Sequence, residues 1–306
     1  MADTNTQLDI RGQEYSKIIL PLARQERSML YDKVFVKSDF TGKSFYQDQI
    51  GTWGMSEKTT SNAETPKNDP NLSRTRIDIK TYNDARIFDR SLDLQSFSDP
   101  MSVASISMQS SVGVQIDKVI YDALGATALR GETGATSVTF PTSQTINANF
   151  GGVVPSGGTT ASNTGLTPAK IRRASKMLTA KGVDTMDRTF VASATGQEQL
   201  LGNTEATSSD YNNVKALVSG EIDTWVGFKF VFLPDGIISV TEAGVATYYA
   251  FHKTGLCFAM LEELFMRVSE RADLSYSKQV YYEISCGAAR LEEGKVVKVL
   301  CDETVA

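Results

Sequence analysis

The chain has 306 residues, 41% of them hydrophobic and 22% charged, with a formal net charge of -5. That is enough for one large or two ordinary globular domains with their own cores, and it excludes wholesale disorder. The acidic balance argues against a protein whose main task is gripping phosphate backbones, which calls for a dense basic patch. No window approaches the roughly eighteen uninterrupted apolar residues of a membrane helix. The N-terminal stretch lacks the basic start, apolar run and small-residue cleavage site of a secretory signal, so a soluble cytosolic chain is expected. Cys257, Cys286 and Cys301 form no CxxC pair, so reduced, buried thiols are expected rather than a disulfide framework or a thiolate metal site. Residues 1 to 90 hold 14 basic and 13 acidic side chains, against 17 and 23 in the remainder. The acidic surplus therefore belongs to the later part, and the densely charged but balanced early part suits contact with other copies of the chain.

From Arg11 to Tyr31, Tyr15, Ile18, Ile19, Leu22, Met29 and Leu30 recur at helical spacing, but Pro21 interrupts them, so one or two short helices in an arm are expected. From Val36 to Thr81 only 11 of 46 residues are hydrophobic, too few to bury the segment on its own. Its ends nevertheless have strand character, Lys43 to Trp53 and then Thr75, Ile77, Ile79 and Thr81 alternating with charged residues. This predicts a long two-stranded hairpin that must lean on something else. Ser98-Asp99-Pro100 is a helix start. Ala104, Met108, Val112, Ile116, Val119, Ile120 and Ala123 then keep helical spacing to Gly125 or Gly131, which predicts a beam of roughly 40 Å with sheet packed along its apolar stripe. Residues 131 to 165 are rich in Gly, Thr and Ser and are expected to form a connector with short strand-like pieces at 137 to 140 and 145 to 150.

Thr167-Pro168 opens a helix that ends near Gly182, followed by a strand at Thr189 to Ala192, short helices near Gln197 to Leu201 and Asn212 to Val218, and one strand over Trp225 to Leu233. The result is a compact mixed domain. Beyond Gly244 five strands are expected, at 246 to 252, 255 to 260, 264 to 271, 278 to 286 and 295 to 300, all lying on the long helix. The last pair should be joined as a hairpin at Glu293-Gly294.

The order of these parts resembles the major capsid proteins of tailed bacteriophages with the Hong Kong 97 fold, an α+β class. The resemblance covers nearly the whole chain. It is carried by RTRIDIKTYNDARIFDRSLD at 74 to 93, the helix SDPMSVASISMQSSVGVQIDKVIYDAL at 98 to 124, LTPAKIRRASKMLTAKGVDTMDRTFVASATGQEQLL at 166 to 201, GEIDTWVGFKFVFLPDG at 220 to 236 and KQVYYEISCGAARLEEGKVVKVL at 278 to 300. It implies an N-terminal arm at 1 to 35, an extended loop at 36 to 86 and a peripheral domain from 87 to 130 and 246 to 306. The connector would follow at 131 to 165, with an axial domain at 166 to 245. It further implies hexamers and pentamers of an icosahedral phage head assembled in the bacterial cytoplasm around double-stranded DNA. A separate scaffolding protein, a portal, a possible decoration protein and diffuse contact with DNA would be its partners. Lys43, Trp53, Lys58, Arg74 and Arg76 in the loop, and Glu262, Glu263, Arg267, Glu270 and Arg271 near the C-terminus, become candidate intersubunit contacts. The second group reads equally well as a polar strand edge that discourages aggregation. Some family members cross-link a loop lysine to an asparagine, but no partner Asn or catalytic Glu is identifiable for Lys43 or Lys58. An encapsulin-like compartment shell shares the implied fold and is the second reading; a soluble α+β enzyme is the third.

Catalytic chemistry finds little support. His252 lies among aromatics and reads as a packed or edge histidine, and one histidine builds no His-rich metal site. The glycines from 131 to 158 match neither GxxxxGK[ST] nor GxGxxG. Ser193 has no nucleophile-elbow pattern, and Glu262-Glu263 reads as a charged edge. Asn71-Leu72-Ser73 matches a glycosylation triplet by chance. Arg172, Arg173 and Lys176, without interleaved aromatics, read as a solvated helix face. No catalytic residue, cofactor or metal ligand is assigned.

Overall fold

A computed structural model of the chain describes residues 25, 27–38, 40–51, 53–62, 67, 69–88, 100–154, 161–202, 224–234 and 236–305, apart from the side chains of residues 100–106, 262 and 263. The expected helix caps Ser98 and Asp99 and the short helix at 212 to 218 lie outside these residues. The long helix, α1, spans Pro100–Gly125 and its 26 residues end at the first of the two expected stops. It buries Ile116, Ile120, Tyr121 and Leu124, a spacing that keeps one face inward. Its end is capped by Arg290, whose Nη1 donates to the carbonyls of Leu124 at 2.9 Å and Ala126 at 2.7 Å. These are carbonyls that a helix terminus otherwise leaves unpaired. Helices α2, Pro168–Ala180, and α3, Ala194–Gly202, follow.

The strands are β1 Phe35–Lys37, β2 Ser44–Ile50, β3 Leu72–Asp78, β4 Lys80–Phe88, β5 Ala128–Arg130, β6 Thr136–Val138, β7 Thr145–Ile146, β8 Arg188–Ser193, β9 Thr224–Trp225, β10 Phe228–Leu233, β11 Val245–His252, β12 Leu256–Arg271, β13 Ser277–Arg290 and β14 Val296–Asp302. They form three sheets, ordered β1-β12-β13-β4, β7-β14-β11-β8-β10-β9 and β2-β3-β5-β6. The hairpin is present, with Ser44 opposite Asp78 and Ile50 opposite Leu72. The connector lends β6 and β7 to the edges of two different sheets.

Several sequence expectations need correction. The strands after residue 246 do not all lie on the long helix: β12 and β13 join the sheet beside α1, whereas β11 and β14 pair with each other in the six-stranded sheet that contains β8 and β10. Glu293-Gly294 therefore joins two sheets through a 3-10 turn and is not a hairpin tip. The two strands expected at 255 to 260 and 264 to 271 are one, β12, kept continuous by bulges between Met260 and Phe265; a bulge absorbs the phase change that alternation alone reads as a break. Trp225 to Leu233 is not one strand but a tight hairpin, turned by Val226 and Gly227 at positive φ. Lys80–Phe88, most of it inside the loop expected at 36 to 86, is a full strand on β13 and not part of the hairpin sheet. Arm residues Leu30 and Val34 belong to this chain's own core, at 0% and 1% exposure. Each such burial contributes about 1.5–3 kcal/mol.

The principal core runs continuously from α1 and the arm through α2 to the six-stranded sheet. Within it lies Lys170, fully buried, its Nζ donating to the carbonyls of Thr164 at 2.6 Å and of Ala148, Gly165 and Leu300 at 3.0 Å. The ammonium ties the connector to β14. Burial pulls its pKa below the ordinary lysine value, outweighing the opposing influence of Cys301 and Asp302. The folded state thus holds this proton less tightly than the unfolded chain. The residue's contribution to stability is accordingly lowest at neutral pH and rises as pH climbs from the folded pKa towards the unfolded value of about 10.4. Lys170→Met, which strands the carbonyls, is expected to cost about 2–4 kcal/mol. Urea unfolding of both proteins across the alkaline range should show the gap between them widening with pH, and a gap that narrows would contradict this assignment.

Candidate self-association surface

The hairpin sheet has two unlike faces. Directly opposed residues share a face, so Phe45, Gln47 and Gln49 lie with Ile77, Thr75 and Ser73, and the other face carries Tyr46, Asp48 and Ile50 with Arg76, Arg74 and Leu72. The first face is held against the body at its base, where Ile77 packs with Cys257, Ala259 and Leu291. On the second face the charges are already paired within the hairpin. Arg74 makes a two-pronged contact to Asp48, with Nη2 donating to Oδ2 at 3.0 Å, and its guanidinium lies 5.9 Å from the Tyr46 ring centre. Arg76 does the same to Asp78, at 2.7 and 3.1 Å. The carboxylate partners raise the pKa of both guanidiniums, and Arg74 holds Asp48 below the usual carboxylate range. Large apolar side chains of the hairpin are exposed: Ile50 at 67%, Trp53 at 69% and Leu72 at 72% exposure, with Met55 wholly exposed. Lys43 and Lys58 are exposed as well.

The second candidate group divides. Arg271 pairs with Asp273 across the turn that follows β12, its Nε donating at 2.7 Å, and its Nη1 reaches Gln279 at 3.1 Å. Arg267 and Glu270 are exposed on β12. Glu262 stands opposite Ser285 in register, and the side chains of Glu262 and Glu263 lie outside the described residues. Apolar side chains sit among these charges, with Val268 at 53% and Tyr276 at 64% exposure. The hairpin and the far end of β12 and β13 are thus two separate exposed regions, and they do not come together within one chain.

In the arm, Gln25 and Ser28 to Leu30 are fixed to α1, and Phe35 to Lys37 pair with β12. Asp117, fully buried, accepts from Ser28 Oγ at 2.6 Å, from the Met29 amide at 2.9 Å and from the Leu30 amide at 2.9 Å, and also from Gln25 Nε2. Ser110 Oγ donates to the Gln25 carbonyl. Gly113, between these two on the same helix face, has no side chain to keep the arm away. The sequence signal was there as Ser, Gly and Asp at 110, 113 and 117, small or acidic residues at helical spacing on an otherwise apolar stripe.

Elsewhere the polar groups are structural. Ser193 Oγ accepts from the Gly196 amide at 3.0 Å, capping α3, and lies 2.7 Å from Tyr248 Oη. His252 Nδ1 accepts from the Thr254 amide at 3.2 Å, matching the edge-histidine reading. Burial pushes the thiols up, Cys286 to about 11 and Cys257 and Cys301 to about 12, so none is a ready nucleophile. Arg172, Arg173 and Lys176 are exposed on α2, but Arg173 does have an aromatic neighbour, Phe150 of the connector, 5.9 Å from its guanidinium. An open pocket of about 660 Å³ lies between α3 and the C-terminal residues, lined by Thr195, Glu198, Gln199 and Glu303 among others. Among the described residues there is no group of three or more metal-ligating side chains, and no helix is long and apolar enough to cross a membrane.

Comparison with known proteins agrees with this geometry. Residues 11–303 match the phage capsid protein family. No curated protein matches the chain. Among solved structures, the capsid of Helicobacter pylori bacteriophage KHP30 superposes with a TM-score of 0.73 at 9% identity, covering 99% of each chain. The capsid of cyanophage Pam1 gives 0.71 at 14% identity with the same coverage. That of cyanophage P-SCSP1u gives 0.71 at 13% identity over 96% of this chain and 93% of its own. At these identities the likeness concerns the fold.

Gly113→Ala tests the seating of the arm. The added Cβ would lie 2.8 Å from the Ser28 nitrogen and 2.9 Å from the Arg27 carbonyl carbon. It is expected to cost about 1–3 kcal/mol, read as a lower urea midpoint, and to raise hydrogen exchange at the amides of Met29 and Leu30. Gly202→Ala, which meets open space, serves as the comparison; equal midpoints for the two variants would mean that the arm does not press on the helix there.

Proposed function

The chain belongs to the phage capsid protein family, a component of the virion shell, and from that premise we propose that it is a major capsid protein of the Hong Kong 97 type. In this reading hexamers and pentamers of the chain close into an icosahedral head around double-stranded DNA. The hairpin sheet corresponds to the extended loop, α1 with β1, β12, β13 and β4 to the peripheral domain, and the six-stranded sheet with α2 and α3 to the axial domain. The axial unit then takes β11 and β14 as well as residues 166 to 245. Scaffolding, portal and decoration proteins would be its partners, and contact with DNA would be diffuse, in keeping with the net charge of -5.

The observation that carries this reading is the hairpin. Its Arg74 and Arg76 are paired with carboxylates of the hairpin, and Ile50, Trp53, Met55 and Leu72 are left facing water beside the exposed Lys43 and Lys58. Exposed apolar side chains clustered on a projecting element mark a contact surface rather than a solvated one. Burial against a neighbour would supply about 1.5–3 kcal/mol per large side chain, and a closed shell repeats each such contact many times. Charges such as Arg267 and Glu270 would set partner and register more than affinity.

Electron microscopy of the purified protein, alone and with the scaffolding protein of its phage, is expected to show closed particles or capsomers. Nucleic acid inside particles from infected cells is the expected content, and a co-purifying enzyme would favour a compartment shell instead. Trp53→Ser with Met55→Ser should abolish assembly while leaving the urea midpoint of the subunit unchanged, because both side chains are exposed in the single chain. Normal yields of particles from that double variant would defeat the role given to the hairpin.

A further inference from the structure

We infer that the hairpin sheet is a lever jointed at Ile79 and held at one angle by an ionic strut between Arg130 and Glu293. The joint follows from topology. β3 ends at Asp78 and β4 begins at Lys80, yet β3 pairs with β2 and β5 in the hairpin sheet and β4 pairs with β13 in the body. One residue therefore carries the chain from one sheet to another. The other leg meets it there, since the Ile79 amide donates to the Lys43 carbonyl at 3.1 Å. Beneath the joint lies Gly287 of β13, where a Cβ would stand 2.2 Å from the Asp78 carbonyl oxygen. A crossing this close holds the position of the joint while leaving its angle to other contacts.

Ile77 plugs a small apolar pocket with Cys257, Ala259 and Leu291, Arg290 Nη2 donates to the Val138 carbonyl of β6 at 3.4 Å, and the ionic link is made by β5, the third strand of the hairpin sheet, which follows the end of α1 after two residues. Arg130 Nη2 lies 2.9 Å from Glu293 Oε1 and also donates to the Leu291 carbonyl. The same carboxylate lies 3.7 Å from Arg290 Nε, and Arg290 is anchored in the body by the end of α1. Glu293 thus stands between a guanidinium fixed to the helix end and one carried by the lever. Both side chains of the strut retain about a fifth of their exposure, at 21% and 20%, so water reaches them and weakens the pair. The junction is also under-satisfied: Arg130 Nε, Thr75 Oγ1, Arg290 Nε and the strut's own Glu293 Oε1 are buried without hydrogen-bond partners, so the strut is an ion pair without a hydrogen bond and the observed angle is not favoured by every group at the junction.

The test uses the unassembled full-length chain with spin labels at Ser56→Cys and Thr254→Cys, both exposed; the native thiols are buried. Its readout is independent of whether the protein builds a shell. Double electron–electron resonance should give one narrow distance distribution for the parent, and both Glu293→Gln and Arg130→Met should broaden and shift it. Combining them should add nothing, as expected for two halves of one interaction. Hydrogen exchange in β8 and β11 should stay at parent values. Should the glutamine variant not fold, Arg130→Met and a salt titration of the parent decide the matter, because high salt should reproduce the broadening. A parent distribution that ignores salt, or variants that retain it, would overturn the inference, as would broadening that appears only together with loosened β8 and β11.

Discussion

A two-stranded ribbon has two faces and can cover neither by itself. The segment from Val36 to Thr81 is too poor in apolar residues to fold back on itself, and the rest of the architecture follows from how that problem is met. At its base the body covers one face, through Ile77 and the small cluster around it, and β5 and β6 widen the ribbon to four strands. Beyond the base Trp53 and Met55 are exposed, with none of the described residues over them. The charged face avoids the cost of unpaired ions by pairing Arg74 with Asp48 and Arg76 with Asp78. In the proposed assembly a neighbour would meet exposed apolar side chains beside arginines already paired, and it would have no unpaired guanidinium of this face to compensate.

The body that carries this ribbon is stitched by buried charges whose partners are mostly backbone groups. Lys170 gathers carbonyls from the connector and β14. Arg188 binds the carbonyls of Val183 and Asp184 behind α2. Arg290 closes α1, and Asp117 takes the amides of the arm. Each joins segments that are distant in sequence or terminates a helix that apolar packing alone would leave with unpaired groups. Hydrophobic burial supplies most of the driving force but is non-directional; these groups fix which segment lies where.

Much of the architecture was legible because it rests on periodicity. The long helix announced itself through its apolar stripe, α2 through Thr167-Pro168, and the hairpin through alternation across a polar turn. The expectations that failed were of another kind. A β-bulge in β12 shifts the alternation by a residue and looks like a gap between strands. Glu293-Gly294 has the composition of a tight turn, yet which sheet each flanking strand joins is a long-range matter that local residues do not encode. The candidate contacts were charges apart from Trp53, and composition did not reveal that Arg74 is engaged by Asp48 across the strand pair and Arg76 by Asp78 two residues along its own strand. The arm's attachment through Ser110, Gly113 and Asp117 was written in the sequence, but a buried aspartate without a cation reads as an ordinary surface residue until the amides above it are seen.

That most of the fixing contacts end on backbone carbonyls and amides bears on how little sequence the fold demands. A backbone acceptor is present whatever the side chain, so Lys170 or Arg290 needs one residue of the right type and a chain passing at the right distance. The same holds for the joint at Ile79, where Gly287 is required by the proximity of a carbonyl and not by the identity of its neighbours. Such a frame can keep its sheet order while almost every exposed position drifts. The surfaces proposed to meet other subunits, the hairpin tip and the far end of β12 and β13, would be as free to drift. Contacts there would need only to match their own copies, because every subunit in a shell built of one chain changes together.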